Sequence, residues 1–79
     1  MMANCTVEIS ILYKNDNWDN FSIPEDEEHA QDLVDIGVQI GSFNGEPTFM
    51  VLTNKNTSEC LFVNLGEVRT VHMKTVVTE

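Results

Sequence analysis

The sequence predicts an α+β domain that is mainly β: an antiparallel, curled sheet of five to six strands with one short, acidic, amphipathic helix. Three observations lead there. Cys5, Val7, Ile9, Ile11 and Tyr13 alternate with Thr6, Glu8 and Ser10, the period of a strand with one buried face. Only one stretch has both a helix-start composition and a helical period. The C-terminal half is rich in β-branched residues and broken by turn formers. A half-open small barrel and a helix-on-sheet arrangement both fit. Residues 1–79 read as a single domain, because a chain this short buries only roughly 60–65% of its unfolded surface and holds one modest core.

The first strand runs Cys5–Tyr13 and ends at the turn formers Lys14-Asn15-Asp16-Asn17. Trp18–Ile23 is a shorter strand returning along it. The helix is expected from Pro24-Glu25 to a stop at Gly37. Pro suits a first turn, acids suit the positive end of the helix dipole, and Ser22 and Glu25 have capping-box spacing. At 100° per residue Ala30, Leu33 and Val34 share one side, while Glu25, Glu28, Asp32 and Asp35 form a stripe on the other. Ile36, Val38 and Ile40 then alternate with Gly37, Gln39 and Gly41, which predicts a strand over Ile36–Phe43. An alternative continues the helix past Gly37. Asn44-Gly45 is a two-residue hairpin signal, with Thr48–Thr53 as the returning strand. Beyond the polar turn 54–58, Cys60–Leu65 is an apolar strand, Gly66-Glu67 breaks it, and Val68–Val77 is a long β-rich segment. The longest unbroken apolar runs, Phe49–Leu52 and Cys60–Val63, are far too short to cross a membrane. Met1, Met2, Ala3 and Asn4 have no basic n-region, so no export signal and a cytoplasmic location are expected.

The charge is unevenly placed. The net charge is −9, and residues 15–54 hold nine acids and no Lys or Arg. Eight of those nine lie between Asp16 and Asp35: Asp16, Asp19, Glu25, Asp26, Glu27, Glu28, Asp32 and Asp35. Such a balance argues against direct binding to nucleic acid or to anionic lipid, since both need a basic footprint. It suits a basic protein partner, or solubility alone.

Catalytic signatures are missing. His29, expected exposed on the helix, and His72, in the last strand, have no patterned nucleophile beside them. Asn15, Asn17, Asp19 and Asp26 fit positions one, three, five and twelve of a calcium loop, but Asn20 stands where the turn glycine belongs. The two His and two Cys do not have zinc-finger spacing, and no phosphate-cradling glycine loop occurs. Cys5 and Cys60 are expected to be reduced thiols packed as small apolar groups, with a single disulfide as the lesser alternative. No catalytic residue, cofactor or metal site is therefore assigned.

The expected function is that of a small acidic, non-enzymatic inhibitor or regulator. Its partner-binding residues are Glu25, Asp26, Glu27, Glu28, Asp32 and Asp35, with Asp16, Asp19 and Trp18. Four carboxylates over about 15 Å of helix have a charge spacing comparable to that of a nucleic-acid strand. The face could occupy the phosphate groove of a nucleic-acid-binding partner, as anti-CRISPR and other anti-defence proteins of phage do, an analogy of size and charge only. A phage origin would put it in the host cytoplasm. Trp18 and Phe21 are the candidate apolar anchors, against a core role that is favoured for Phe21. The alternative function is a structural or assembly module that binds through a sheet edge at Val68–Val77, homodimerisation included.

Overall fold

Alternation along β1 (Asn4–Tyr13) puts Val7, Ile9 and Ile11 on one face, and all three are buried. The computed structural model describes the backbone of residues 4–78 and the side chains of residues 4–77. Met1, Met2, Ala3 and Glu79, on which the leader and the single-domain expectations partly fall, lie outside the described residues. β2 (Trp18–Pro24) returns antiparallel to β1, setting Ile23 opposite Val7 and Phe21 opposite Ile9. The turn between them holds Asp16 at φ 69°, a left-handed conformation that Asp tolerates. The chain continues through helix α1 (Ala30–Gly41), strands β3 (Phe49–Asn54) and β4 (Glu59–Asn64), a 3-10 turn (Leu65–Glu67) and β5 (Val68–Thr78).

The α+β, mainly-β class holds, but the strands do not form one sheet of five or six. β2, β1 and β5 make a three-stranded antiparallel sheet in that order, and β3 and β4 make a separate two-stranded hairpin. No closed barrel forms among the described residues. The reason is burial. The apolar face of the larger sheet needs a cover, and α1 contributes only one fully buried hydrophobic side chain, Ile36. The hairpin therefore lies over that face and inserts Met50, Leu52 and Val63 into one core with Val7, Ile9, Ile11, Phe21 and Ile23. Asn54 fastens the two layers: its side-chain amide donates to the Ser22 carbonyl at 2.7 Å.

The helix corrects the sequence reading at both ends. It begins at Ala30, not at Glu25, because β1 claims the preceding residues. Pro24 still pairs with Thr6, and the Glu25 N–H donates to the Cys5 carbonyl at 2.9 Å. It runs through Gly37 to Gly41, so the expected strand Ile36–Phe43 does not exist and Asn44-Gly45 closes no hairpin. The row Leu33, Ile36, Ile40 packs against the core at helical spacing. Two core contacts outweigh the roughly 1 kcal/mol that an interior glycine costs a helix. The apolar side is thus not the expected Ala30, Leu33 and Val34: Ala30 and Val34 face solvent.

The molecule is elongated, 44 × 23 × 21 Å. Its radius of gyration of 13.0 Å exceeds the about 11.6 Å of a compact chain of this length. Hairpin and helix cover β1 and β2 but leave much of β5 open: Met73 and Val77 remain 40% and 60% exposed. None of the described helices is long and apolar enough to cross a membrane.

Candidate functional site

The acidic residues do not form one helical stripe. Glu25, Asp26, Glu27 and Glu28 lie in the connection between β2 and α1, and only Asp32 and Asp35 are on the helix. Asp16, Asp19 and Trp18 sit at the opposite end of β2, some seven residues or about 23 Å of extended chain away from Glu25. There Asp16 is paired with Arg69 at 2.8 Å, and Asp19 accepts the Tyr13 hydroxyl at 2.7 Å. Burial, followed by that hydrogen bond and the Asp19 charge, pushes the Tyr13 phenol up to about 12. Trp18 is exposed, directly opposite Leu12 on the outer face, whereas Phe21 belongs to the core. The expected binding set is therefore two groups at two ends of the sheet.

The acidic connection is held in one conformation by a buried histidine. His29, expected on the surface, is wholly buried. Its Nε2 accepts the Lys55 backbone N–H at 3.0 Å, so Nδ1 carries the proton and donates to the Asp26 carboxylate at 2.7 Å. The same carboxylate oxygen accepts the His29 backbone N–H at 3.0 Å. The hydrogen bond from the ring, reinforced by the backbone bonds and opposed by burial, holds the Asp26 carboxyl below its ordinary 3.8. Lys55 completes the clasp: its Nζ donates to the Glu28 carbonyl at 2.9 Å and stands 3.9 Å from an Asp32 oxygen that has no hydrogen-bond partner. The β3–β4 turn that supplies Lys55 is itself folded around Asn54, whose side-chain oxygen accepts the N–H groups of Asn56 and Thr57. Glu25, Glu27 and Glu28 are left pointing at solvent beside the tip of the hairpin.

That hairpin carries a feature the sequence reading did not assign. Its inner face is core, yet its outer face is also apolar. Val51 lies directly opposite Phe62, with Phe49 two residues along β3. The three are 44%, 66% and 62% exposed. Together they present roughly 300 Å² of apolar surface, the size of a patch that is often functional. The signal was legible in the unbroken runs Phe49–Leu52 and Cys60–Val63. A strand with one wet face alternates, and a strand apolar at successive positions is built to be covered on both sides. Cys60 shares this outer face and is exposed, not packed as a small apolar group. Cys5 is half-buried, and both thiols are free.

The remaining chemistry is sparse. The calcium-loop count is split by β2, which places Asp26 far from Asn15 and Asn17. No group of three or more His, Cys, Asp or Glu side chains is placed to hold a metal ion among the described residues. The largest of the concavities described, about 640 Å³, is open and lies between the start of β1, the acidic connection and Asn56, with Cys5, Glu25, Asp26 and Glu27 in its lining. His72 is exposed on β5. No protein-family model matches the chain, and neither a curated protein nor a solved structure matches it.

Proposed function

We propose that the chain is a non-enzymatic, protein-binding regulator that docks through the outer face of the β3–β4 hairpin onto a basic partner. The observation that carries this is the apolar patch Phe49, Val51 and Phe62 on a strand pair whose other face is already core. The acidic connection Glu25–Glu28, with Asp32 and Asp35 behind it, flanks the tip of the same hairpin through the Lys55 and His29 bonds. The division of labour follows from magnitudes. An aromatic anchor buried at the centre of an interface is worth about 2 kcal/mol or more, whereas a rim ion pair is worth about 0–1 kcal/mol. The apolar face supplies affinity, and the net charge of −9 supplies encounter rate and the choice of a basic target.

A surface that handles nucleic acid is the natural class of target, since it gathers Arg and Lys around an accessible groove. Inhibition then follows from occupancy: the docked acids compete for the side chains that would hold phosphates. Bunched in a turn, the carboxylates act as a local charge and not as a phosphate-spaced rod. Asp16, Asp19 and Trp18, at the far end of β2, lie outside this face.

The test is capture from native host extract with the parent, a Phe49→Ser/Phe62→Ser variant and a Glu25→Lys/Glu28→Lys variant. A basic protein should bind the parent, and its affinity for the double serine variant should drop by about thirtyfold or more, at low and high salt alike. The charge-reversed variant should associate more slowly and lose most of its salt dependence. Capture that is indifferent to the serine substitutions, or no capture by the parent, would show that the hairpin face is not the binding surface.

A further inference from the structure

We infer that β5 is a self-association edge, on which a second copy of this chain pairs antiparallel, β5 to β5, to form one continuous six-stranded sheet. β5 is the outer strand of its sheet, hydrogen-bonded to β1 along one side and to no described strand along the other. Eleven residues give an open edge of about 37 Å. Long free edges are normally shortened, bulged, closed by proline or guarded by lysine. β5 has no proline, and its register irregularity lies at Leu12/Tyr13, at one end. Its lysine is exposed but leans back along the sheet: Lys74 stands opposite Glu8 of β1, with the charges 3.9 Å apart. Arg69 is likewise drawn back to Asp16 at 2.8 Å.

Two further observations select a second copy as the occupant. The first is charge. In a chain of net charge −9, residues 68–78 contain Arg69, His72 and Lys74 and no acid at all. Two copies that meet through the acidic connection oppose carboxylates, whereas along β5, in a register centred on Met73, Arg69 faces Val77 and Lys74 faces His72, so no Lys or Arg directly opposes another. The second is the uncovered core face. Val71, Met73 and Val77 stand beside Ile11, Ile9 and Cys5 in the register, on the side that carries the core. Val71 is partly covered by the core, and Met73 and Val77 are left exposed. The pocket of about 230 Å³ between Ile40, Phe43, Leu65, Val68 and Val71 opens along the same margin. A two-fold centred on Met73 sets Met73 against Met73 and Val71 against Thr75 of the other copy on this face. It sets Thr70 against Val76 and His72 against Lys74 on the other face. On the core face apolar and β-branched residues thus oppose one another at the centre, while a two-fold at Lys74 would oppose lysines. Continuing the strand order also continues the apolar face from one copy to the next.

Sedimentation of the full chain across the micromolar range reads the mass, and a particle of twice 8.9 kDa is expected to grow with concentration. Met73→Lys should weaken the association by about tenfold or more, since it opposes like charges at the two-fold. Phe62→Ser should leave it unchanged, which separates this edge from the hairpin face. A covalent trap fixes the register. In a Cys5→Ser/Cys60→Ser background, Met73→Cys should oxidise to a cross-linked dimer, because directly opposed Cα atoms lie about 4.5–5.5 Å apart, within disulfide reach. Val77→Cys should not, since its own counterpart is about 27 Å away in that register. A monomer at every concentration, or a dimer that Phe62→Ser breaks and Met73→Cys fails to trap, overturns the assignment.

Discussion

The two sheets of this protein solve the same problem with opposite sequence patterns. β1 gives one face to the core and the other to water. On the wet side Glu8 and Ser10 stand opposite Ser22 and Asn20, with Lys74 and His72 across on β5. Ser10 donates to Asn20 at 3.0 Å, and Glu8 faces Lys74. The hairpin gives one face to the same core but carries Phe49, Val51 and Phe62 on the other. A polar outer face closes the structure there. An apolar outer face leaves it open to a partner. The difference teaches where to test for function first: at the strand pair that breaks alternation, more than at the residues with the most charge.

The largest effect that sharpens this contrast comes from two positions one step out of register on the hairpin, one on each of its faces. Leu52 is fully buried and Phe62 is two-thirds exposed, on neighbouring strands of one small sheet. Leu52→Ala is expected to cost about 2–5 kcal/mol of folding stability, by lost burial and the cavity left behind. Phe62→Ala is expected to cost no more than about 1 kcal/mol, the worth of its cross-strand contact with Val51. Urea denaturation measures both. Equal losses would mean that Phe62 is structural and that the hairpin has no free face.

The strands were legible in the sequence because their period is unambiguous. The alternation from Cys5 to Tyr13 has no helical reading, and Val68–Val77 is β-rich throughout. The helix was legible in existence but not in extent. Ile36 and Ile40 fit a period of two through Val38 and fit a helical row with Leu33 equally well, and only the position of the core decides. The start is not legible locally, because Pro24 and four acids make a good first helical turn, while a tertiary bond from Glu25 to Cys5 keeps the chain extended. Burial of His29 was illegible for the same reason: its partner Lys55 is 26 residues away. The stacking of the hairpin over the larger sheet was not written in any single strand. It follows from the need to cover Val7, Ile9 and Ile11, which the helix does only in part.

A second contrast lies in what fastens each region, and pH separates the two fasteners. At the acidic connection, Asp26 is a carboxyl held below 3.8 in the folded protein. Its contribution is present at neutral pH and is lost as pH falls from its ordinary value through the depressed folded-state value. Asp26→Asn should therefore be less stable than the parent at neutral pH and converge with it in acid. At the far end of the larger sheet, Tyr13 is an acid whose folded value rises from 10.0 to about 12. Folding favours its neutral form, so its contribution is intact below pH 10 and is lost as pH rises from there toward about 12. Absorbance titration of the phenol should show half-ionisation near 12 in the folded protein and near 10.0 in urea. Urea midpoints across the pH range should fall at the acid end for Asp26 and at the alkaline end for Tyr13. Loss of both contributions at the same end of the pH range would dissolve the distinction between the regions.

The smallest effect tests the element that lies against the hairpin. Gly37 sits in the middle of α1, exposed, with nothing within 4 Å of where a Cβ would stand. Its backbone is helical, so alanine meets neither strain nor a clash. Gly37→Ala removes unfolded-state freedom and should stabilise the protein by about 0.4–1 kcal/mol in urea titration. The sign matters more than the size. In a strand over Ile36–Phe43, alanine in place of glycine would gain little, and no rise in helical circular dichroism would accompany it. In a helix that carries Leu33, Ile36 and Ile40 to the core, the same change raises stability and helicity together. A gain in both ties the helix to the hairpin side of the core, and it leaves β5 as the strand whose core face the fold does not finish.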